Sequence, residues 1–218
     1  QAGQAQLTIP NDVSDKIRVK NHIIYRATNR KIYQTDIQML GTYQSLNAAT
    51  AIETLLRLES YGYQLEEYIE LGLSKAMWNG RMEIISEEPL FIIDGAHNPG
   101  AVKELRDSID LYFTNKRITF IMGVLADKDF AQEAALIADR AENIITVTPN
   151  NSRALDGKKL AETLAVYNNK VQYIDSISEA SQYAMDLVQK EQTDMILAFG
   201  SLSHLKDIKQ AVKAERRD

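Results

Sequence analysis

Short apolar runs alternate with amphipathic stretches through the second half of the chain, and this alternation predicts strands followed by helices. The apolar runs have the length and character of buried strands, and the predicted strands are 90–93, 118–122, 143–147, 171–173 and 195–199. The stretches between them repeat apolar residues every three or four positions, and the predicted helices are 100–113, 130–139, 157–167, 177–190 and 202–214. This pattern is typical of an α/β fold with a doubly wound, mostly parallel sheet.

The first 80 residues follow a different pattern. Residues 13–40 read as strand segments around a polar turn at 27–30, which predicts β-structure. Helical spacing takes over from about Ser45, and a second short helix is predicted at 65–77. These few elements predict a poor self-sufficient core. The charged stretch 86–89 is the best linker candidate, so we predict two domains, at 1–85 and 86–218.

Composition and charge exclude several classes of function. A formal net charge of -5 argues against nonspecific nucleic-acid binding, which needs a basic surface. The absence of cysteine excludes a disulfide scaffold and a cysteine-based metal site, and it fits a cytoplasmic protein. No uninterrupted apolar run is long enough to span a bilayer, so we expect no membrane partner. The dinucleotide-binding pattern G-x-G-x-x-G is also absent, which disfavours a dehydrogenase.

The most informative motif is the octapeptide D-G-A-H-N-P-G-A at 94–101, which directly follows the first predicted strand of the second half. Asn98 is a good N-cap, and Pro99 suits the first helical position because its missing N–H costs nothing there. A strand therefore ends in a carboxylate just before a helix begins. In open α/β sheets ligands bind at the carboxyl ends of strands, and an acid beside a helix N-terminus suits a ribose or a phosphate.

Together with the upstream block W-N-G-R-M-E at 78–83, this motif resembles the signature of folylpolyglutamate and dihydrofolate synthases, which belong to the Mur-ligase superfamily. Weaker similarities follow in the family's order: G-T-Y-Q-S-L-N-A at 41–48, G-V-L-A-D-K-D at 123–129 and G-S-L at 200–202. The resemblance implies that 86–218 is a Rossmann-like C-terminal ligase domain. It also implies that 1–85 is the incomplete end of a central ATP-binding domain.

The resemblance assigns roles to five residues. It implies ATP contacts for Asn47, Arg81 and Asp94, and amino-acid or phosphate contacts for His97 and Ser201. It places no metal ligand and no certain catalytic residue in this chain. The family's phosphate loop and Mg²⁺ ligands belong to its N-terminal half, and the sequence has no glycine-rich, lysine-containing loop of that kind. We therefore expect a C-terminal portion of a longer enzyme.

Each of these residues also has a structural explanation. Asp94 could cap the loop that follows it, Arg81 could be a solvated surface residue, and Ser201 could be a simple N-cap. Histidines are more often packed or hydrogen-bonded than catalytic, and we interpret His22 and His204 in that way. Since Asp94 lies at a strand end, outside the apolar layer, we expect it to contribute little to stability.

The resemblance implies an ATP-dependent ligase that adds L-glutamate to the γ-carboxyl of a reduced folate through an acyl phosphate, with dihydropteroate as a possible second acceptor. The expected partners are ATP with Mg²⁺, glutamate and the folate, and the protein is expected to be a monomer. Two alternatives stay open. One is a non-catalytic nucleotide-binding or regulatory module of the same fold, and the other is a different amide ligase of the Mur superfamily.

A first prediction concerns the 218-residue chain by itself. We expect no ATP- and glutamate-dependent ligation of folate, because the chain has no phosphate loop to hold the β- and γ-phosphates. The measurement is incorporation of labelled glutamate into a reduced folate by the purified chain. Turnover above the enzyme-free rate would mean that these 218 residues contain a phosphate site of another kind.

Overall fold

A computed structural model describes residues 5–8 and 21–215 of the chain. The chain forms two compact units, Gln1–Asn79 and Gly80–Asp218. None of the helices in the described part of the chain has the length and apolar character needed to cross a membrane. The predicted strand segment at 17–20 lies outside the described residues, and the domain boundary at 85/86 stays a prediction.

The first unit is a small antiparallel sheet covered by helices. Its strands β1 (Ala5–Thr8), β2 (Asn21–Arg26) and β3 (Ile32–Ile37) pair in that order. Helix α1 spans Gln44–Glu59, and a short 3-10 turn leads into α2, Ile69–Lys75. These elements enclose a core of buried residues: Ile23, Tyr25, Ala27, Tyr33, Ile37, Ala48, Ala49, Ile52 and Ile69. Two strand tyrosines, Tyr25 and Tyr33, contribute to this core. The expectation that the unit has a poor self-sufficient core stays a prediction.

The second unit has the predicted strand–helix alternation. Its strands are β4 (Glu83–Glu87), β5 (Leu90–Ile93), β6 (Ile118–Met122), β7 (Asn143–Thr146), β8 (Val171–Tyr173) and β9 (Met195–Phe199). Its helices are α3 (Pro99–Tyr112), α4 (Phe130–Ile137), α5 (Gly157–Leu164), α6 (Ile177–Gln189) and α7 (Leu202–Glu215). The five strands and five helices predicted for this half are confirmed, with shifts at some ends only.

The six strands lie in the order β4-β5-β9-β6-β7-β8, and all pairs except β4–β5 are parallel. The chain moves in one direction from β5 to β8, then returns through α6 to insert β9 between β5 and β6. Because crossover connections are right-handed, this reversal places α6 on the opposite face from α3, α4 and α5. The helix contacts agree, since α3 packs on α4, α4 on α5, and α6 on α7. The doubly wound sheet is confirmed.

The predicted linker at 86–89 is wrong. Ser86 and Glu87 belong to β4, which pairs antiparallel with β5, and Glu88 and Pro89 form the turn of this hairpin. A run of charged residues and proline suits a tight turn at a sheet edge as well as it suits a linker. The sequence pattern alone could not separate these two cases.

Two buried ionisable side chains of the second unit have no hydrogen-bond partner of normal geometry among the described residues: Glu133 on α4 and His204 on α7. Burial raises the pKa of Glu133 to about 7, with repulsion from Asp129 adding to the rise and Lys128 opposing it. Burial lowers the pKa of His204 to about 4, and the nearby backbone of Phe199 offsets this only in part. Both side chains are therefore costly to ionise in the folded protein.

These two groups predict opposite pH dependences of stability. Between about pH 4 and 6.5 the unfolded chain binds more protons at His204, so this residue makes the free energy of unfolding rise with pH. Between about pH 4.5 and 7 the folded chain binds more protons at Glu133, so that residue makes it fall with pH. The two slopes oppose each other in the parent protein.

Single substitutions should reveal each slope. As the pH rises from 4.5 to 7, the free energy of unfolding of Glu133→Gln should increase relative to that of the parent. As the pH rises from 4 to 6.5, that of His204→Leu should decrease relative to the parent. Each change should be at most about 3 kcal/mol, at about 1.4 kcal/mol per pKa unit. Urea unfolding of both variants and the parent across this range provides the measurement. Differences from the parent that do not vary with pH would contradict the prediction.

Candidate functional site

The carboxyl ends of the three central strands meet at one edge of the sheet. The N–H of Asp94, just after β5, donates to the carbonyl of Ala198 in β9 at 2.9 Å. The N–H of Gly200, just after β9, donates back to the carbonyl of Ala96 at 2.9 Å. The N–H of Gly123, after β6, donates to the carbonyl of Phe199 at 3.3 Å. The loops that leave β5, β6 and β9 are thereby held against one another.

This close approach depends on Gly200. Its φ is +110°, which L side chains rarely adopt, and a Cβ there would lie 2.7 Å from the carbonyl oxygen of Gly123. The obstacle is backbone on a neighbouring strand end, so it cannot move aside without separating the two loops. A side chain at position 200 is therefore incompatible with this edge of the sheet.

Asp94 lies at the centre of this edge, with 4% of its surface exposed. Its Oδ1 accepts from the N–H of Ala96 and its Oδ2 from the N–H of Met82, both at 2.8 Å. The bond from Ala96 caps the loop that follows Asp94, as expected if Asp94 has a structural role. The second reaches across to the loop before β4, where Met82 has a φ of +41°. The expectation that Asp94 contributes little to stability does not fit this geometry, because loss of its carboxylate would leave two buried backbone N–H groups without their acceptor.

Arg81 precedes Met82 in the loop before β4 and is partly buried. Its guanidinium crosses Gly95 so closely that a Cβ on Gly95 would come within 2.5 Å of Nη1. Its hydrogen bond among the described residues is a long one, 3.4 Å from Nη1 to the carbonyl of Gly80. The other arginines described after residue 80 all pair with aspartates: Arg106, Arg117, Arg140 and Arg153. Arg81 thus has guanidinium donors available for an anion.

His97 and Ser201 lie on two loops that are joined by the hydrogen bond from the N–H of Gly200 to the carbonyl of Ala96. Nδ1 of His97 is 2.7 Å from the carbonyl of Gly95, and because a carbonyl only accepts, Nδ1 carries the proton. Nε2 is then free to accept a proton or a hydrogen bond. Ser201 is 4% exposed, and its Oγ accepts from the N–H of Ser203 at 3.2 Å. Its structural role as an N-cap is thus present, and a ligand contact stays a prediction.

Asn98 and Asn47 occupy helix starts. The side chain of Asn98 accepts from the N–H of Ala101 at 2.9 Å and caps α3, as predicted. Asn47 lies in the first turn of α1 in the other unit, exposed, with its amide donating to Oε1 of Gln44 at 3.0 Å. The exposed amide of Asn47 could still exchange this contact for a ligand, so its role also stays a prediction.

The sequence did not predict the parts of the site that depend on contacts between distant segments. The bond from Met82 to Asp94 and the packing of Leu202 against Gly95 each join residues that are far apart in the chain. In the sequence, a glycine directly before Arg81 and a predicted strand indicated that another part of the backbone could come close to Gly80. No local pattern indicated which loop Gly80 would meet.

Residues 80–202, which carry this whole edge of the sheet, match the family described as Mur ligase, glutamate ligase domain. The chain belongs to this family. The match begins at Gly80, where the second compact unit also begins. Asp94, Arg81, His97 and Ser201 all fall inside the matched residues.

Relatives with known roles agree with the family. A dihydrofolate synthase/folylpolyglutamate synthase of Bacillus subtilis is 30% identical over 85% of this chain and 43% of its own length. A folylpolyglutamate synthase of Lacticaseibacillus casei is 35% identical over 60% of this chain and 31% of its own. The chain therefore spans less than half the length of these relatives.

Solved structures share the fold. Mycobacterium tuberculosis folylpolyglutamate synthase complexed with ADP and AMPPCP has a TM-score of 0.79 at 20% identity, over 97% of this chain and 46% of that one. E. coli FolC in complex with DHPP and ADP has a TM-score of 0.74 at 24% identity, over 89% and 44%. The α/β architecture inferred from the sequence is thus that of ligases in this family.

Alanine substitutions at three glycines of the Mur-ligase unit should show whether an added Cβ costs more stability when it meets backbone than when it meets side chains. Gly200→Ala should cost about 2 kcal/mol or more, because both its φ and the Gly123 carbonyl oppose a Cβ. Gly95→Ala should cost less than Gly200→Ala, because its two closest atoms are side-chain ends, of Arg81 and Leu202, and the nearest backbone atom, the carbonyl oxygen of Gly80, is 3.2 Å from the Cβ.

Gly100→Ala is the matched control. Gly100 lies in the first turn of α3, where a Cβ would come no closer than 3.4 Å to Asn98, so alanine should raise stability by up to about 1 kcal/mol. Urea unfolding of the three variants checks this ranking. Equal losses for Gly95→Ala and Gly200→Ala would contradict the distinction.

Proposed function

We propose that this chain is part of an ATP-dependent ligase that joins L-glutamate to the γ-carboxyl of a reduced folate, with dihydropteroate as a possible second acceptor. The observation that carries the proposal is Arg81, a partly buried guanidinium without a carboxylate partner among the described residues, next to Asp94 at the carboxyl edge of a Mur-ligase domain. The relatives named as folate ligases and the neighbours solved with ADP support the same reaction class.

The residues of this edge fit a nucleotide. Arg81 offers charged, planar donors that suit phosphate oxygens. Asp94 places a carboxylate at the same edge, held by the backbone N–H groups of Met82 and Ala96, and a carboxylate is an acceptor of the kind that a ribose hydroxyl needs. Gly95 has no Cβ, and the guanidinium of Arg81 takes the space that a Cβ would fill, which brings these donors to the edge of the sheet. We assign Arg81 and Asp94 as ATP contacts. Asn47 is also proposed as an ATP contact, on the resemblance alone.

His97 and Ser201 are proposed to contact the amino acid or a phosphate. Nε2 of His97 can accept a proton from an incoming ammonium group, or donate to an anion once protonated. In the proposed reaction the acceptor carboxylate takes the γ-phosphoryl group of ATP and ADP leaves. The amine of glutamate then attacks the acyl phosphate, loses a proton and displaces inorganic phosphate.

The described residues contain no group of three histidine, cysteine or acidic side chains that could hold a metal ion. We therefore assign no metal ligand within residues 5–8 and 21–215. In the proposed reaction Mg²⁺ arrives with ATP and neutralises its phosphates. The side chains of this chain contribute positioning and positive charge, with Arg81 as the phosphate contact.

The test uses the product of the complete gene. We expect glutamate-dependent release of one ADP per amide formed with a reduced folate, and a fall in kcat/KM of about 100-fold for Arg81→Ala, as for the loss of a charged contact. Arg117→Ala is the matched control, because Arg117 pairs with Asp194 at the opposite end of the sheet and should leave kcat/KM nearly unchanged.

Acceptor choice separates the rival functions. Amide formation with a UDP-linked cell-wall precursor and not with folate would favour the other branch of the Mur superfamily, to which a diaminopimelate ligase relative, 27% identical over 169 residues, belongs. Nucleotide binding without any amide formation would favour a non-catalytic module. Glutamate transfer to dihydropteroate as well as to folate would establish the second activity.

A further inference from the structure

Asp94 contacts backbone on both sides of the proposed nucleotide site, and these contacts have a consequence for Arg81. The loop formed by Gly80, Arg81 and Met82 is joined to the end of β5 by two bonds. The N–H of Gly95 donates to the carbonyl of Gly80 at 2.7 Å, and the N–H of Met82 donates to Oδ2 of Asp94 at 2.8 Å. The loop is thus held immediately before and after Arg81.

The backbone of this loop needs such support. Gly80 and Met82 both have positive φ, +73° and +41°, and a positive φ at methionine is a strained conformation that persists only when its surroundings enforce it. Met82 is 2% exposed, so its side chain anchors one end while its N–H is held by the carboxylate. Without the bond to Asp94, this loop could relax toward ordinary φ values and carry Arg81 away.

We propose that Asp94 is a positioning residue for Arg81: its carboxylate clamps the 80–82 loop against the end of β5, and this clamp sets the guanidinium over Gly95. Oδ1 holds the β5 end of the clamp through Ala96, and Oδ2 holds the loop end through Met82. This inference depends on the proposed function only for the identity of the ligand that Arg81 binds. The clamp itself is a property of the ligand-free protein.

The first test needs no ligand. In ¹⁵N NMR spectra of the 218-residue chain, Asp94→Asn should speed exchange of the Met82 and Ala96 amide protons at least about ten-fold and shift the Arg81 Nε–H signal. An asparagine side chain has one acceptor oxygen, so it cannot replace both bonds. Unchanged exchange at Met82 together with an unchanged Arg81 signal would overturn the clamp.

Two further variants make this result specific. Asp194→Asn is the matched control, because Asp194 also accepts a backbone N–H, from Arg117 at 2.7 Å, but lies at the other end of β9. It should shift the Arg117 signals and leave those of Met82, Ala96 and Arg81 in place. Gly95→Ala keeps the carboxylate and should shift the Arg81 Nε–H signal while exchange of the Met82 amide proton stays slow, which tests the geometry even if the Asp94 variant does not fold.

The second test uses ADP and adenosine as probes. If Asp94 acts through Arg81, Asp94→Asn should weaken ADP binding about ten-fold more than adenosine binding, because Arg81 is assigned to phosphate. The loss for ADP should also be non-additive with Arg81→Ala. Equal losses for both probes, additive with Arg81→Ala, would mean that Asp94 acts at the ribose only and would overturn the proposal. Binding is measured on the product of the complete gene; if that protein binds neither probe, the proposed function fails, and the NMR result alone decides the clamp.

Discussion

The insertion of β9 between β5 and β6 is the constraint on which the second unit depends. All three strands are fully buried, so their backbone groups must bond to neighbouring strands, and the parallel register fixes where each strand ends. Because the ends coincide, the loops after them exchange backbone bonds at Asp94, Gly123 and Gly200. The position of the candidate site is thus a consequence of sheet order and register.

Tight contact between these loops has a chemical consequence as well as a steric one. It excludes a side chain at Gly200, and it buries Asp94, which is 4% exposed. A buried carboxylate is stable only when donors surround it, and the backbone N–H groups of Met82 and Ala96 serve that purpose. The same packing therefore forms the edge of the sheet and makes the conformation of the 80–82 loop depend on the bond to Asp94.

Local structure was predictable from the sequence because its causes are local. The strands of the second unit follow from apolar runs, and the caps at Asn98, Asp129 and Ser176 follow from side chains that reach amides two or three residues ahead. The hairpin at 86–89 and the second bond of Asp94 did not follow, because both depend on which distant segment lies alongside. Motif resemblance located the candidate residues, but it could not tell a ligand contact from a structural one.

Charge distribution is what separates these two possibilities at this edge. Structural arginines in the second unit satisfy their donors with aspartates and backbone carbonyls, as Arg106 and Arg140 do between α3 and residues 138–140. Arg81 is partly buried, held by a strained loop, and makes one long bond to a carbonyl. Holding a guanidinium partly away from water on such a loop costs desolvation and strain. An anionic ligand that binds Arg81 recovers this cost, which is why the arrangement favours a phosphate-bearing substrate over a purely structural role.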